Sequence, residues 1–173
     1  MALPEFDLAR LANQRVLLRT DLNVPLHVAD HGQGMVISNT ARIEAALPTI
    51  KQCMQAGASV IIASHLGRPR EGEFDPAYSL QPVAECLSEL LATKVLCVRD
   101  WRNIAEQRLQ ASEVILLENV RFNVGEKSNC AQLAQAYAAL AEVFVMDAFA
   151  TSHRAHASTV AIVEHMDLSL IHI

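Results

Sequence analysis

Paired cysteines, long apolar runs and low-complexity stretches are all missing from this 173-residue chain. Six glycines and six prolines are too few for a collagen-like or structureless polymer. No apolar run approaches the roughly 18 residues of a membrane span, so no membrane partner is expected. Met1 to Phe6 carry acid and proline rather than a basic and then apolar segment, which predicts no secretory leader. The four cysteines, Cys53, Cys86, Cys97 and Cys130, stand far apart with no CxxC pair. They read as reduced structural thiols of a cytoplasmic protein. The seven histidines form neither HExxH nor a zinc spacing, so no metal site is expected in this chain. Also absent are the phosphate loop GxxxxGK[ST], the dinucleotide turn GxGxxG and the nucleophile elbow GxSxG.

Positive charge is scarce and of one kind. Fourteen basic residues face nineteen acids, for a formal charge of −5. Such a chain repels phosphate backbones overall, so no nucleic-acid partner is expected. Only Lys51, Lys94 and Lys127 are lysines; the other eleven cations are arginines, whose planar donor forks match carboxylates and phosphates two bonds at a time.

What is present is a regular alternation. Short apolar runs at Val16–Leu18, Val60–Ala63, Val95–Val98, Val114–Leu117 and Val143–Met146 read as strands buried on both faces. Between them, 41–56, 79–93 and 130–141 carry apolar residues at helical spacing, and 100–111 gives a weaker helix. Pro48 predicts a start or a kink in the first helix, and Ser79 a cap with Pro82 in the first turn of the second. The expected fold is α/β: a doubly wound parallel sheet with helices on both faces, in three α/β/α layers. The stretches 26–34 and 70–77 read as loops, and residues 1–173 as one domain.

In open parallel sheets, ligands bind beyond the C-terminal strand ends. Those ends supply Arg19, Asp21 and Asn23; Ser64, His65, Gly67 and Arg68; Glu118, Asn119 and Arg121; and Asp147, Ser152, His153 and Arg154. Like charges 4 Å apart repel by about 4 kcal/mol at an effective dielectric near 20. A set of cations on one rim therefore points to a small polyanion bearing phosphate and carboxylate. The competing explanation is a set of structural ion pairs through Asp21, Glu118 and Asp147. Elsewhere, Trp101, Phe122 and Phe149 read as packing residues, and His27 and His31 as solvated. Glu126 and Lys127 read as a surface turn. His156, two past Arg154, is weighed as a rim residue against a loop residue.

At these same positions the chain resembles the phosphoglycerate kinase family. Arg19-Thr20-Asp21-Leu22-Asn23-Val24-Pro25 is similar to its RxDxNVP signature, and Asn39-Thr40-Ala41-Arg42-Ile43 to its catalytic-arginine segment. Ser64-His65-Leu66-Gly67-Arg68-Pro69 and Glu118-Asn119-Val120-Arg121-Phe122 resemble its SHLGRP and ENVRF motifs, with Gly125-Glu126 following the latter. The segment 147–154 resembles DAFGTAHR, with Ala150 for the usual Gly and Ser152 for the usual Ala, and is followed by Ala157-Ser158-Thr159.

The resemblance, over roughly 14–163, corresponds to the family's N-terminal domain. It implies binding of 3-phosphoglycerate or 1,3-bisphosphoglycerate by Asp21, Leu22, Asn23, Arg42, His65, Leu66, Gly67, Arg68, Arg121 and Arg154. Asp21 and Asn23 would meet the carboxylate and hydroxyl end; His65, Arg68, Arg121 and Arg154 would form the basic patch; Arg42 would be catalytic. It also implies that Mg2+ with ADP or ATP is bound by a C-terminal domain absent from this chain, that the full-length protein is a monomer, and that this fragment alone is inactive. The tail 167–173 does not resemble the linker helix expected there. The rival expectations are a non-catalytic anion-binding module and a doubly wound domain whose arginines serve structure alone.

Overall fold

The computed structural model describes residues 8–28, 34–106, 109–148, 154–166 and 168–171. His31, Phe149, Ala150, Ser152, His153, Asp167 and His172 therefore lie outside the described residues. Six strands form one all-parallel sheet: β1 (Arg15–Thr20), β4 (Ser59–Ala63), β5 (Val95–Val98), β6 (Val114–Leu117), β7 (Val143–Asp147) and β8 (Leu168–Ile171), in the order β5-β6-β4-β1-β7-β8. The chain leaves β1 toward β4 on one side and leaves β7 toward β8 on the other, so the winding reverses at the β1/β7 boundary. This is the position at which open α/β sheets place a ligand crevice.

Helices α1 (Ala41–Gln55) and α2 (Gln81–Leu91) pack on one face and α3 (Ala131–Ala138) on the other. Along β1 the period of two decides which face each residue serves. Val16 and Leu18 join Ile43, Ile50, Val83 and Leu87. Leu17 joins Trp101, Leu133 and Tyr137 in the opposite layer. All of these side chains are buried. Each stabilises the fold by roughly 1.5–3 kcal/mol through removal of apolar surface from water. Trp101 is a packing residue as expected, stacked on Tyr137 at 4.7 Å.

Several local expectations are corrected. The 26–34 loop begins a two-stranded antiparallel pair, β2 (Leu26–Val28) with β3 (Met35–Ile37). The 100–111 helix shrinks to a 3-10 turn at Trp101–Glu106. Within the tail 167–173, which does not resemble the expected linker helix, Leu168–Ile171 form β8, parallel to β7. Helix α1 runs through Pro48, whose ring nitrogen has no hydrogen to return to Glu44.

Ser79 caps the start of α2 as expected, its Oγ accepting from the Gln81 amide at 3.2 Å one residue before the Leu80 boundary, and a carboxylate from Glu118 also serves this end. Its Oε1 accepts from the backbone N–H of Leu80 at 2.8 Å and of Asn119 at 2.9 Å, and its Oε2 accepts from Ser79 Oγ at 2.8 Å. A buried acid at a helix N-terminus is held by both the orphan amides and the helix dipole. Glu118 is therefore committed to the scaffold and does not neutralise a rim arginine.

Candidate functional site

The loops after β1 and β4 are tied to each other. Ser64 Oγ accepts from the Leu22 amide at 2.9 Å and donates to the Thr20 carbonyl at 2.8 Å. Asn23 Oδ1 accepts from the Gly67 amide at 2.8 Å, and Asp21 Oδ1 accepts from the Asn23 amide at 3.1 Å. The loop after β6 joins them: Asn119 Nδ2 donates to the carbonyls of Leu66 and Tyr78, and Arg121 Nη1 donates to the Gly67 carbonyl. Gly67 sits at φ +57°, and a Cβ there would lie 2.4 Å from the Tyr78 ring. Only glycine fits that turn without displacing an aromatic side chain.

This scaffold gathers the cations. Arg19 and Arg121 are buried, Arg154 is partly buried and Arg68 is exposed. His65 is buried among them, with its Nδ1 3.3 Å from Arg19 Nη2. Burial first, then the charges of Arg19, Arg121 and Arg154, push the His65 imidazole down to about 2, so it is neutral at physiological pH. Burial, then Arg154 and Arg19, also lowers the Arg121 guanidinium below its ordinary value. Arg154, Arg19 and Arg68 therefore lie within electrostatic reach of Arg121.

Their partners are few. Among the described residues, Arg19, Arg68, Arg121 and Arg154 make no ion pair within 4.0 Å. Arg121 Nε is buried and has no hydrogen-bond partner. An orphaned buried charged donor is costly.

Arg42 is placed by a helix instead of a strand-end loop. It stands in the first turn of α1 and its Nη1 is 2.6 Å from Asp21 Oδ2. The pair borders a cavity of about 200 Å³ lined by Thr20, Asp21, Arg42, Ala45, Ala46, Asp147 and Ala148, at the β1/β7 boundary. Leu22 and Leu66 put their side chains into the core, so only their main chain is offered at the rim.

Glu126 is the residue misread from sequence. Placed on a surface turn, it is in fact fully buried. Its Oε1 accepts from Ser158 Oγ at 2.6 Å and its Oε2 from the Ser158 amide at 3.2 Å. Local pattern carries no sign of this, because the partner lies 32 residues downstream. His156 also faces the cluster rather than bulk solvent, with Nδ1 3.9 Å from Glu126 Oε1. Phe122 packs against Phe74 with ring centroids 5.4 Å apart, and His27 is exposed.

The arrangement groups the guanidinium donors of Arg19, Arg68, Arg121 and Arg154 on one rim, with no carboxylate within ion-pair distance of them among the described residues. Among the described residues no three His, Cys, Asp or Glu side chains converge as a metal ligand set, and no helix is long and apolar enough to cross a membrane.

The family model described as phosphoglycerate kinase matches residues 6–171. A phosphoglycerate kinase of Vibrio campbellii is 50% identical over 159 residues, which cover 92% of this chain and 39% of that protein. The solved structure of phosphoglycerate kinase from Coxiella burnetii matches with a TM-score of 0.84 at 46% identity, over 93% of this chain and 39% of that one. Phosphoglycerate kinase from Pyrococcus horikoshii OT3 matches with a TM-score of 0.79 at 31% identity, over 99% of this chain and 42% of that one. The chain thus spans about two fifths of the length of the relatives it matches.

Proposed function

The chain belongs to the phosphoglycerate kinase family, and from that premise we propose that it is the acid-binding part of such an enzyme. In this reading it holds 3-phosphoglycerate or 1,3-bisphosphoglycerate while sequence outside the chain holds Mg2+ with ADP or ATP. The observation that carries the proposal is the buried, partnerless Nε of Arg121 inside a cluster of cations that lack ion-pair partners among the described residues.

The geometry supports a division of labour. Arg68, Arg121 and Arg154 receive the phosphate and carboxylate charge, and neutral His65 adds a hydrogen bond without adding to the repulsion. Asp21, an acceptor once ionised, suits a substrate hydroxyl, and Asn23 stands beside it. Arg42 is parked on Asp21, with its side chain half exposed. An exposed ion pair is worth only about 0.2–1 kcal/mol, so Arg42 can leave it at little cost. Released, it would place a planar donor fork on the oxygens of the transferring phosphoryl group, where positioning and charge stabilisation supply most of the rate. Closure of the nucleotide-bearing part over this rim would bring the two substrates in line and exclude water. The Mg2+ ion would neutralise nucleotide phosphate charge; the described residues gather no ligand set for it. The same reading makes the full-length protein a cytoplasmic monomer and leaves this segment alone without turnover.

Isothermal titration of the chain with 3-phosphoglycerate tests the binding half of the proposal. Saturable heat that weakens between 50 and 200 mM salt, as about 10 Å Debye screening at 0.1 M requires, is the expected result. No heat at millimolar ligand would leave a doubly wound domain whose arginines serve structure alone.

A further inference from the structure

All three nitrogens of Arg19 are engaged inside the protein. Nε donates to Ser158 Oγ at 3.1 Å, Nη1 to the Thr20 carbonyl at 2.7 Å, and Nη2 faces His65 Nδ1 at 3.3 Å. A guanidinium carries donors and no acceptor. His65 Nδ1 must therefore accept from it, which leaves the ring proton on Nε2.

The other end of the chain of bonds is equally directional. Ser158 has one hydroxyl hydrogen, and it goes to the buried carboxylate of Glu126 at 2.6 Å. Its lone pair is left to receive Arg19. The Ser158 amide fixes the second carboxylate oxygen. Glu126 and Arg19 oppose each other's desolvation, each shifting the other toward its charged form.

We infer that Glu126 is a positioning residue for the anion rim: through Ser158 it fixes Arg19, and Arg19 holds His65 as the neutral tautomer protonated on Nε2. The inference rests on the reading of the rim as an anion site for its purpose, but its geometry stands apart from that reading. His65 then offers an N–H to the ligand from a group that stays uncharged. Arg121, Arg154 and His156, which also face it, oppose its protonation. This separates Arg19 from Arg68, Arg121 and Arg154: Arg19 acts on the ligand through His65.

Long-range ¹H–¹⁵N spectra of the ligand-free chain read the tautomer directly. The expected wild-type result is one nitrogen, Nε2, protonated throughout pH 5.5–8. Ser158→Ala and Glu126→Gln should each move His65 toward a mixture of tautomers and weaken 3-phosphoglycerate binding by roughly tenfold, the scale of a lost charge-assisted bond. A wild-type His65 protonated on Nδ1, or doubly protonated within that pH range, overturns the inference with no variant needed. Unchanged His65 spectra in both variants overturn it as well. A wild-type chain with the expected tautomer that binds no phosphoglycerate sinks the functional reading and leaves the tautomer assignment supported.

Discussion

Arg42→Ala in a full-length enzyme containing this segment is expected to lower kcat by roughly 10³-fold or more, while affinity for 3-phosphoglycerate falls by less than about tenfold. The asymmetry follows from where Arg42 sits. It is half exposed and paired with Asp21 at 2.6 Å, in the lining of the cavity on the β1/β7 boundary. A ground-state ligand held by Arg68, Arg121 and Arg154 loses little when Arg42 is removed. The transferring phosphoryl group, whose charge is spread over its equatorial oxygens, loses a donor fork at the moment it is most needed. Steady-state kinetics with a parallel calorimetric titration separate the two. Lost binding with intact turnover of bound substrate would make Arg42 a binding residue instead.

Arg121→Ala should weaken 3-phosphoglycerate binding by about 1.5–3 kcal/mol, roughly 10- to 150-fold, and flatten its salt dependence. The unpartnered Nε is the reason: the donor is already desolvated, so a ligand oxygen gains a full bond there without stripping water from it. The substitution also removes the Nη1 bond to the Gly67 carbonyl, so the turn at Gly67 would loosen. Arg121→Lys distinguishes the contributions, since it keeps the charge and loses the fork. Calorimetry at two salt concentrations should find Arg121→Lys intermediate in affinity with a wild-type salt slope. An unchanged slope in Arg121→Ala would place Arg121 in a purely structural role.

The sheet and the rim were legible for the same reason. Five apolar runs of three or four residues mark strands buried on both faces, and the residue types that follow each run fall at the C-terminal sheet edge by topology alone. β8 was not legible because Leu-Ser-Leu-Ile follows a 3-10 turn at Ala161–His165 instead of a long amphipathic helix. The β2/β3 pair has three residues a side, too few for alternation to show. The roles of Glu118 and Glu126 were hidden for a deeper reason. Both are acids whose burial is made tolerable by donors 38 and 32 residues away, Leu80 and Ser158. Such compensation is tertiary, and no local period records it. The motif carried Arg42 and Arg121 equally well, but only the structure separates a parked, half-exposed arginine from a buried one with an empty donor.

That empty donor gives the most direct test of the anion rim. The Arg121 Nε–H resonance, assigned by its loss in Arg121→Lys, can be followed while 3-phosphoglycerate is added to the wild-type chain. A saturable downfield shift with slowed solvent exchange, at the concentration where calorimetric heat saturates, is the predicted result. A resonance that stays in place while the ligand binds would contradict the account.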